Sequence, residues 1–393
     1  MLTDSHISII KSTIPLLENA GSALTDHFYH RMFSQNPELQ DIFNMSNQHT
    51  GRQQVALFEA IAAYAKNIEN LAALTTAVER IANKHTSFNI QADHYAIVGH
   101  HLIETLRELA PDAFTPEVED AWLHAYQFLA QIFIGREAEI YQNNAQSSGG
   151  WTGKREFKII DKIVESELVK SFILEPVDKQ AVIDFIPGQY LGIEVLPTGS
   201  EYNEIRQYSL SDMPNGSTYR ISVKREILGV PGIVSNFLHD GLSVGDVINV
   251  NAPAGDFFFV NRDAPVVLLS AGVGITPMQS MMELLAAQDY RLPVHYLHAC
   301  ENAEQHSFHP RVSELSAANN WQHTTWYNKT ESEDANIKHG FMDLSTEELP
   351  LTDGDFYLCG PIPFMQFAKQ QLLTLGVCED RVHYEVFGPH ASL

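Results

Sequence analysis

Apolar residues recur at intervals of three and four along the first 140 positions. Ile7, Ile10, Ile14, Leu17, Gly21, Leu24 and Phe28 form one stripe, Leu71, Leu74, Val78, Ile81 and His85 a second, and Tyr95, Val98, Leu102, Leu106 and Leu109 a third. That spacing lays one face of an α-helix against a core. Pro116 suits the opening of a last helix over residues 116–141. The grammar then changes. Short β-branched and aromatic segments such as 157–164 and 219–224, set between Pro and Gly turns, predict a small antiparallel β-barrel to about residue 260. From Pro265 the chain reads strand (266–270), glycine turn, helix (278–287), strand (294–298), and later strand (356–359) and helix (364–375), the alternation of a parallel α/β sheet.

Glycine usage marks the same division. Only Gly21, Gly51, Gly99 and Gly135 of the 23 glycines precede residue 149, so turns and close backbone approaches belong to the later part. The polar run 142–150 reads as a linker. The expected fold is multidomain: an all-α domain, an antiparallel β-barrel, then an α/β domain with a parallel sheet. A chain of 393 residues exceeds what one core accommodates.

Composition narrows the function. The net charge of −24 repels phosphate backbones and anionic lipid surfaces, so neither nucleic acid nor a membrane is an expected partner. Cys300, Cys359 and Cys378 are odd in number and lack CxxC spacing, which argues against a disulfide framework or a zinc ribbon. The first residues lack the plan of a signal peptide, and no long apolar run appears. A cytoplasmic, soluble and monomeric protein is expected.

Three motifs in the second half carry chemistry. Arg206-Gln207-Tyr208-Ser209 combines a guanidinium suited to a pyrophosphate, an aromatic face for stacking and a hydroxyl, with Pro187-Gly188-Gln189-Tyr190 upstream. Gly272-Val273-Gly274-Ile275-Thr276-Pro277 follows an apolar strand and precedes a helix, the context of a dinucleotide loop, although it is not GxGxxG. Cys359-Gly360-Pro361 ends a strand. In the first half, His85 is one of 18 histidines, distinguished by the company of Tyr29, Phe43, Gln53 and Leu57. An iron held by one imidazole needs an apolar wall and one or two polar groups. Tyr126 and Glu137 are eleven residues apart, three helical turns, and so project from nearly one face.

In this order the later motifs resemble the flavin, nicotinamide and hydride-transfer elements of a ferredoxin reductase-type module, and the helical part resembles a globin. The chain as a whole, over residues 1–390, is similar to the flavohemoglobin family. The resemblance implies a globin haem domain over 1–141, a linker over 142–152, an FAD-binding barrel over 153–262 and an NAD(P)-binding domain over 263–393. It implies His85 as the iron ligand, preceded by Lys84, and Phe43 packed on the haem. Tyr29 and Gln53 become the distal hydrogen-bonding pair, Leu57 the apolar residue beside the gas, and Tyr95, Tyr126 and Glu137 the polar set behind the iron. Tyr190, Arg206, Gln207, Tyr208 and Ser209 are implied FAD contacts. Gly272, Val273, Gly274, Ile275, Thr276, Pro277 and Cys359 are implied nicotinamide contacts. In the terminal run Glu385-Val386-Phe387-Gly388-Pro389, Phe387 would lie against the flavin and Glu385 near its edge. Ile227, Leu228 and Ile233 stand where the family more often has glycine, and Ile275 where it has a polar residue.

The implied function is nitric oxide dioxygenase, with haem b, FAD and NADH or NADPH as cofactors and nitric oxide and dioxygen as small-molecule partners. A flavin reconciles a two-electron hydride donor with a one-electron iron acceptor. Two other readings stay open on the residues: an oxygen-binding or sensing globin kept ferrous by its reductase, and a reductase of iron chelates, quinones or hydroperoxides.

Overall fold

A computed structural model of the chain describes residues 2–43, 52–329, 332 and 334–388, without the side chains of 16–20, 22, 52–56 and 58. Two compact units emerge from Cα proximity. The first comprises Met1–Ser147, Trp151–Lys154 and Glu194–Arg206, and the second Ser148–Gly150, Arg155–Ile193 and Gln207–Leu393.

The first unit is helical: α1 (Asp4–Ala20), α2 (Ser22–Gln35), α3 (Arg52–Lys66), α4 (Thr75–Ser87), α5 (Ala92–Leu109) and α6 (Pro116–Gln146). The first apolar stripe spans two helices, because Gly21 takes φ 52° and turns the chain between α1 and α2. Tyr29 therefore sits on the second helix. Leu71 and Leu74 occupy a 3₁₀ turn ahead of α4. Helix α6 opens as its sequence demands: the Thr115 hydroxyl accepts from the Val118 N–H, Pro116 follows, and Glu117 and Glu119 line the first turn. It runs five residues past Tyr141 into the polar stretch read as linker. Ile10, Phe28, Met32, Leu102, Leu106 and Trp122 lie at the centre of the main core. A smaller cluster of Ala82, Phe133 and Ile140 joins α4 to α6.

The barrel region forms a six-stranded sheet of β1 (Lys154–Val164), β2 (Val169–Pro176), β3 (Tyr190–Val195), β4 (Glu204–Ser209), β5 (Tyr219–Lys224) and β6 (Val247–Asn251), in the order β4-β3-β6-β1-β2-β5. β2 runs antiparallel to both β1 and β5. The outermost strands meet through a single antiparallel bridge between Leu210, just after β4, and Ile221 of β5.

The second sheet contains β7 (Val266–Ala271), β8 (Val294–Cys300), β9 (Gln322–Tyr327), β10 (Ile337–His339), β11 (Asp355–Cys359) and β12 (Val382–Glu385). All its neighbours pair in parallel, in the order β10-β9-β8-β7-β11-β12. Alternate residues of β7 face opposite cores: Val266 and Leu268 pack toward α7 (Ile275–Ala287) and α8 (His309–Asn319), Val267 and Leu269 toward α9 (Ile362–Thr374). Among the described residues no helix is long and apolar enough to cross a membrane.

Candidate active site

His85 lies at the last turn of α4, where Glu137 of α6 and Tyr95 of α5 converge on it. Its Nδ1 stands 2.7 Å from Glu137 Oε1 and 2.9 Å from the Tyr95 hydroxyl oxygen, and that hydroxyl donates to the same Oε1 at 2.5 Å. A carboxylate only accepts, so Nδ1 carries the proton and the lone pair resides on Nε2. Glu137 is 2% exposed, which rules out the solvated helix-end carboxylate that its sequence position alone would allow. Burial first, and then the Glu137 charge, push the Tyr95 phenol well above its ordinary range, so it remains a donor.

Helix α6 organises this centre. Tyr126 donates to the Tyr95 carbonyl at 2.6 Å, Tyr141 to the Ile90 carbonyl at 2.7 Å, and Phe133 lies with its ring 5.9 Å from that of His85. Tyr126 reaches its partner because Gly99 of α5 leaves room: a Cβ there would stand 2.3 Å from the Tyr126 ring. Gly99 had a signal in the sequence, since a glycine inside a helical stripe is itself a sign of close packing. Tyr29 is buried in an aromatic group, its ring 5.0 Å from Phe28, 5.8 Å from Phe33 and 6.0 Å from Phe43. Leu57 packs partly buried against the same core. Lys84 is half-buried. The Gln53 side chain lies outside the described residues.

On the first sheet, Arg206, Gln207 and Tyr208 are half-buried and Ser209 is buried. The Leu210 N–H donates to the Gln189 carbonyl at 3.0 Å, so the two motifs read as flavin contacts are neighbours. The Arg206 guanidinium is held by Glu204 at 2.8 Å, an acidic partner two residues away that the motif reading missed. Tyr190 lies against Gly255, where φ is 123° and an added Cβ would meet the ring at 3.0 Å.

The second sheet changes winding direction between β7 and β11, the crevice where open α/β sheets bind ligands beyond their strand carboxyl ends. The Gly272–Pro277 run leaves β7 there, with Gly272 at φ 53°, and Cys359-Gly360-Pro361 leaves β11. Gly274 admits no side chain, since a Cβ would lie 2.2 Å from the Cys359 carbonyl oxygen. Val273 is half-buried, Ile275, Thr276 and Pro277 are buried at the start of α7, and the Cys359 thiol is fully buried, which pushes its pKa up. Glu385 pairs in register with Cys359, Val386 is buried, Phe387 is exposed and Gly388 takes φ 117°. Pro389 lies outside the described residues. Behind β7, Ser270 bonds the Nδ1 of buried His298 at 2.8 Å, and His298 stacks on His306. Burial is the main cause that lowers these two imidazoles to about 3 and about 2.

Comparison with known proteins joins these sites. Residues 26–133 match the globin family model, 156–259 an oxidoreductase FAD-binding domain, and 268–370 an oxidoreductase NAD-binding domain. A flavohemoprotein of Vibrio cholerae serotype O1 is 61% identical over 395 residues, covering 100% of both chains. The chain belongs to the flavohemoglobin family. The flavohemoglobin of Malassezia yamatoensis, solved with bound FAD and heme, is 27% identical with a TM-score of 0.88 over 98% of this chain and 100% of that one. The FAD/NAD-binding domain of a nitric oxide dioxygenase from Vibrio cholerae O1 biovar El Tor is 53% identical, with a TM-score of 0.58 over 60% of this chain and 99% of that one.

The side chains fit the family's groups. His85 has its Nδ1 tied to a buried carboxylate and leaves Nε2 to a metal, the arrangement common to metal-binding histidines. The β7 turn packs Gly274 on the backbone at the end of β11, so the 272–277 run and Cys359-Gly360 lie side by side at the crevice.

Proposed function

We propose that the chain is a nitric oxide dioxygenase, converting two nitric oxide, two dioxygen and one NADH or NADPH into two nitrate, NAD(P)⁺ and a proton. The observation that carries the reading is the Tyr95–Glu137 pair fixing the His85 tautomer, in a chain that also holds FAD- and NAD-binding domains. When bound, the haem supplies gas binding and one-electron chemistry, the nicotinamide supplies hydride, and FAD converts one into the other.

The residues divide the work. Glu137 and Tyr95 hold the His85 Nδ1 proton, keep Nε2 free to ligate, and set an anionic acceptor behind the ring. Tyr126 fixes the backbone of Tyr95. Tyr29, set among Phe28, Phe33 and Phe43, presents a phenol donor inside an apolar wall with Leu57 on the same core, and Gln53, whose side chain lies outside the described residues, is assigned the second donor role. Lys84 flanks the ligand. Arg206, steadied by Glu204, takes the FAD pyrophosphate, Tyr190 and Tyr208 stack, and Gln207 and Ser209 hydrogen-bond. The 272–277 turn would offer N–H groups to the dinucleotide, Cys359 would contact the nicotinamide, and the 385–389 run would contact the flavin. The domains divide at 1–141, 142–152, 153–262 and 263–393, in a monomeric cytoplasmic protein.

An absorption spectrum under NADH, taken before and after nitric oxide is added in air, tests the reading. Haem and flavin bands that reduce with NADH, and nitrate formed at two per NADH, are expected. NADH oxidation that leaves nitric oxide unconverted to nitrate overturns it.

A further inference from the structure

The helical unit holds a second cluster of ligating side chains, unrelated to His85. We propose that His6 of α1, with Asp120 and His124 of α6, binds a borderline divalent cation of the Zn²⁺ class. Asp120 and His124 are four residues apart and share a helix face, and His6 meets them from the N-terminal helix. One nitrogen of each imidazole and one carboxylate oxygen lie within 4.8 Å of one another, the sole such group among the described residues. Ligands on a tetrahedral zinc, at about 2.0–2.1 Å from the metal, stand roughly 3.3 Å apart. The His6 Nε2 to Asp120 Oδ2 separation is already 3.1 Å, so closure on an ion takes small side-chain movements.

Both rings keep a nitrogen in reserve. His124 Nδ1 stands 2.9 Å from the Asp120 main-chain oxygen and 3.4 Å from Asp120 Oδ1, both of which only accept, so this ring's lone pair belongs to Nε2. Tying one ring nitrogen to a carbonyl is how metal-binding histidines are oriented. His6 Nδ1 is buried with no hydrogen-bond partner, an unsatisfied polar atom in a ring tilted 31° to that of His124 with centroids 4.7 Å apart. Two imidazoles and one carboxylate select borderline metals over calcium or magnesium, which prefer all-oxygen sites. The Asp120 carboxylate is exposed, at the edge of a cleft of about 600 Å³ lined also by Arg107, Phe114 and Glu119. Bound there, the ion ties the N-terminal helix to α6.

The test uses the full chain with haem and FAD bound, stripped with EDTA and dialysed against graded ZnCl₂, with zinc counted by mass spectrometry. One zinc per chain is expected that Asp120→Asn, His124→Ala and His6→Ala each weaken at least tenfold, together with a zinc-dependent rise in Tm that the variants lose. His27→Ala, which breaks a histidine–carboxylate contact to Glu108 outside this cluster, should leave that zinc in place. An unchanged haem absorption band reports that each variant is folded. Equal zinc in wild type and all three site variants overturns the proposal, as does loss of the zinc in His27→Ala alone.

Discussion

His85 Nδ1 and Glu137 Oε1 are 2.7 Å apart across a sequence separation of 52 residues. The hydrogen bond sets which imidazole nitrogen is available and adds an anionic acceptor behind it. Glu137→Gln keeps the shape and removes the charge. Loss of such a partner weakens metal sites about 10- to 100-fold. Faster haem transfer to an acceptor globin and a higher ferric/ferrous potential are the expected results. A haem affinity and potential equal to wild type would show that Glu137 only packs.

Gly99→Ala drives a methyl group into the Tyr126 ring. Overpacking of this kind costs about 1–3 kcal/mol, whereas Tyr126→Phe removes only one hydrogen bond, about 1 kcal/mol. Denaturant unfolding should therefore rank Gly99→Ala as the more damaging, and adding Tyr126→Leu to it should recover part of the loss.

The helices of the first unit and strands β7, β8 and β11 of the second sheet were legible because 3.6-residue periodicity and strand–turn–helix alternation are local signals. Gly21 defeated the reading of its stripe as one run, since its left-handed backbone breaks the helix without interrupting the apolar pattern. Glu137 illustrates the other limit. Its helix face followed from its distance to Tyr126, but its burial came from α4 and α5, which sequence spacing does not position. Glu204 was missed because an acid beside a phosphate-seeking arginine reads as surface charge. Strands β2, β3, β4, β6, β9, β10 and β12 and helix α8 went unassigned, the strands being short segments whose pairing is decided across the sheet.

Tyr29→Phe tests the phenol as a donor to dioxygen on the loaded globin. A charge-assisted hydrogen bond is worth roughly 1.5–3 kcal/mol, and each 1.4 kcal/mol is about tenfold. Dioxygen dissociation measured by stopped flow should accelerate about 10- to 100-fold, and carbon monoxide dissociation far less. An equal effect on both gases would reduce Tyr29 to a packing residue.

Gly274→Ala confronts backbone, not a pliable side chain: the Cys359 carbonyl and the Gly360 nitrogen stand 2.2 and 2.7 Å from the new methyl. The nucleotide turn has to shift. NADH reduction of FAD should show a KM raised at least about tenfold, a loss of about 1.4 kcal/mol, while chemically reduced haem still binds dioxygen normally. An unchanged KM would remove the turn from the nucleotide site.

Acid should destabilise the second unit through His298 and His306. Their folded pKa values, about 3 and about 2, lie below that of an unfolded histidine. The stability they contribute is full above about pH 6.5 and falls as pH drops from there toward their folded values, because the unfolded chain takes up the protons first. The slope is about 1.4 kcal/mol per pH unit per group. Thermal melts at pH 7.5 and 5.5 should separate further in wild type than in a His298→Gln/His306→Gln variant. Equal separations would refute the linkage.

Helix α6 carries Tyr126 and Glu137 on one continuous rod, and both serve Tyr95. Each residue of helix advances the side-chain direction by about 100°, so the eleven-residue interval is a matter of phase as well as distance. Inserting or deleting one residue between them would turn Glu137 away from His85 while every amino acid of the centre was still present. Along this stretch the length of the chain is under tighter constraint than the identity of most positions in it, and natural variation there should proceed by replacement and not by gap.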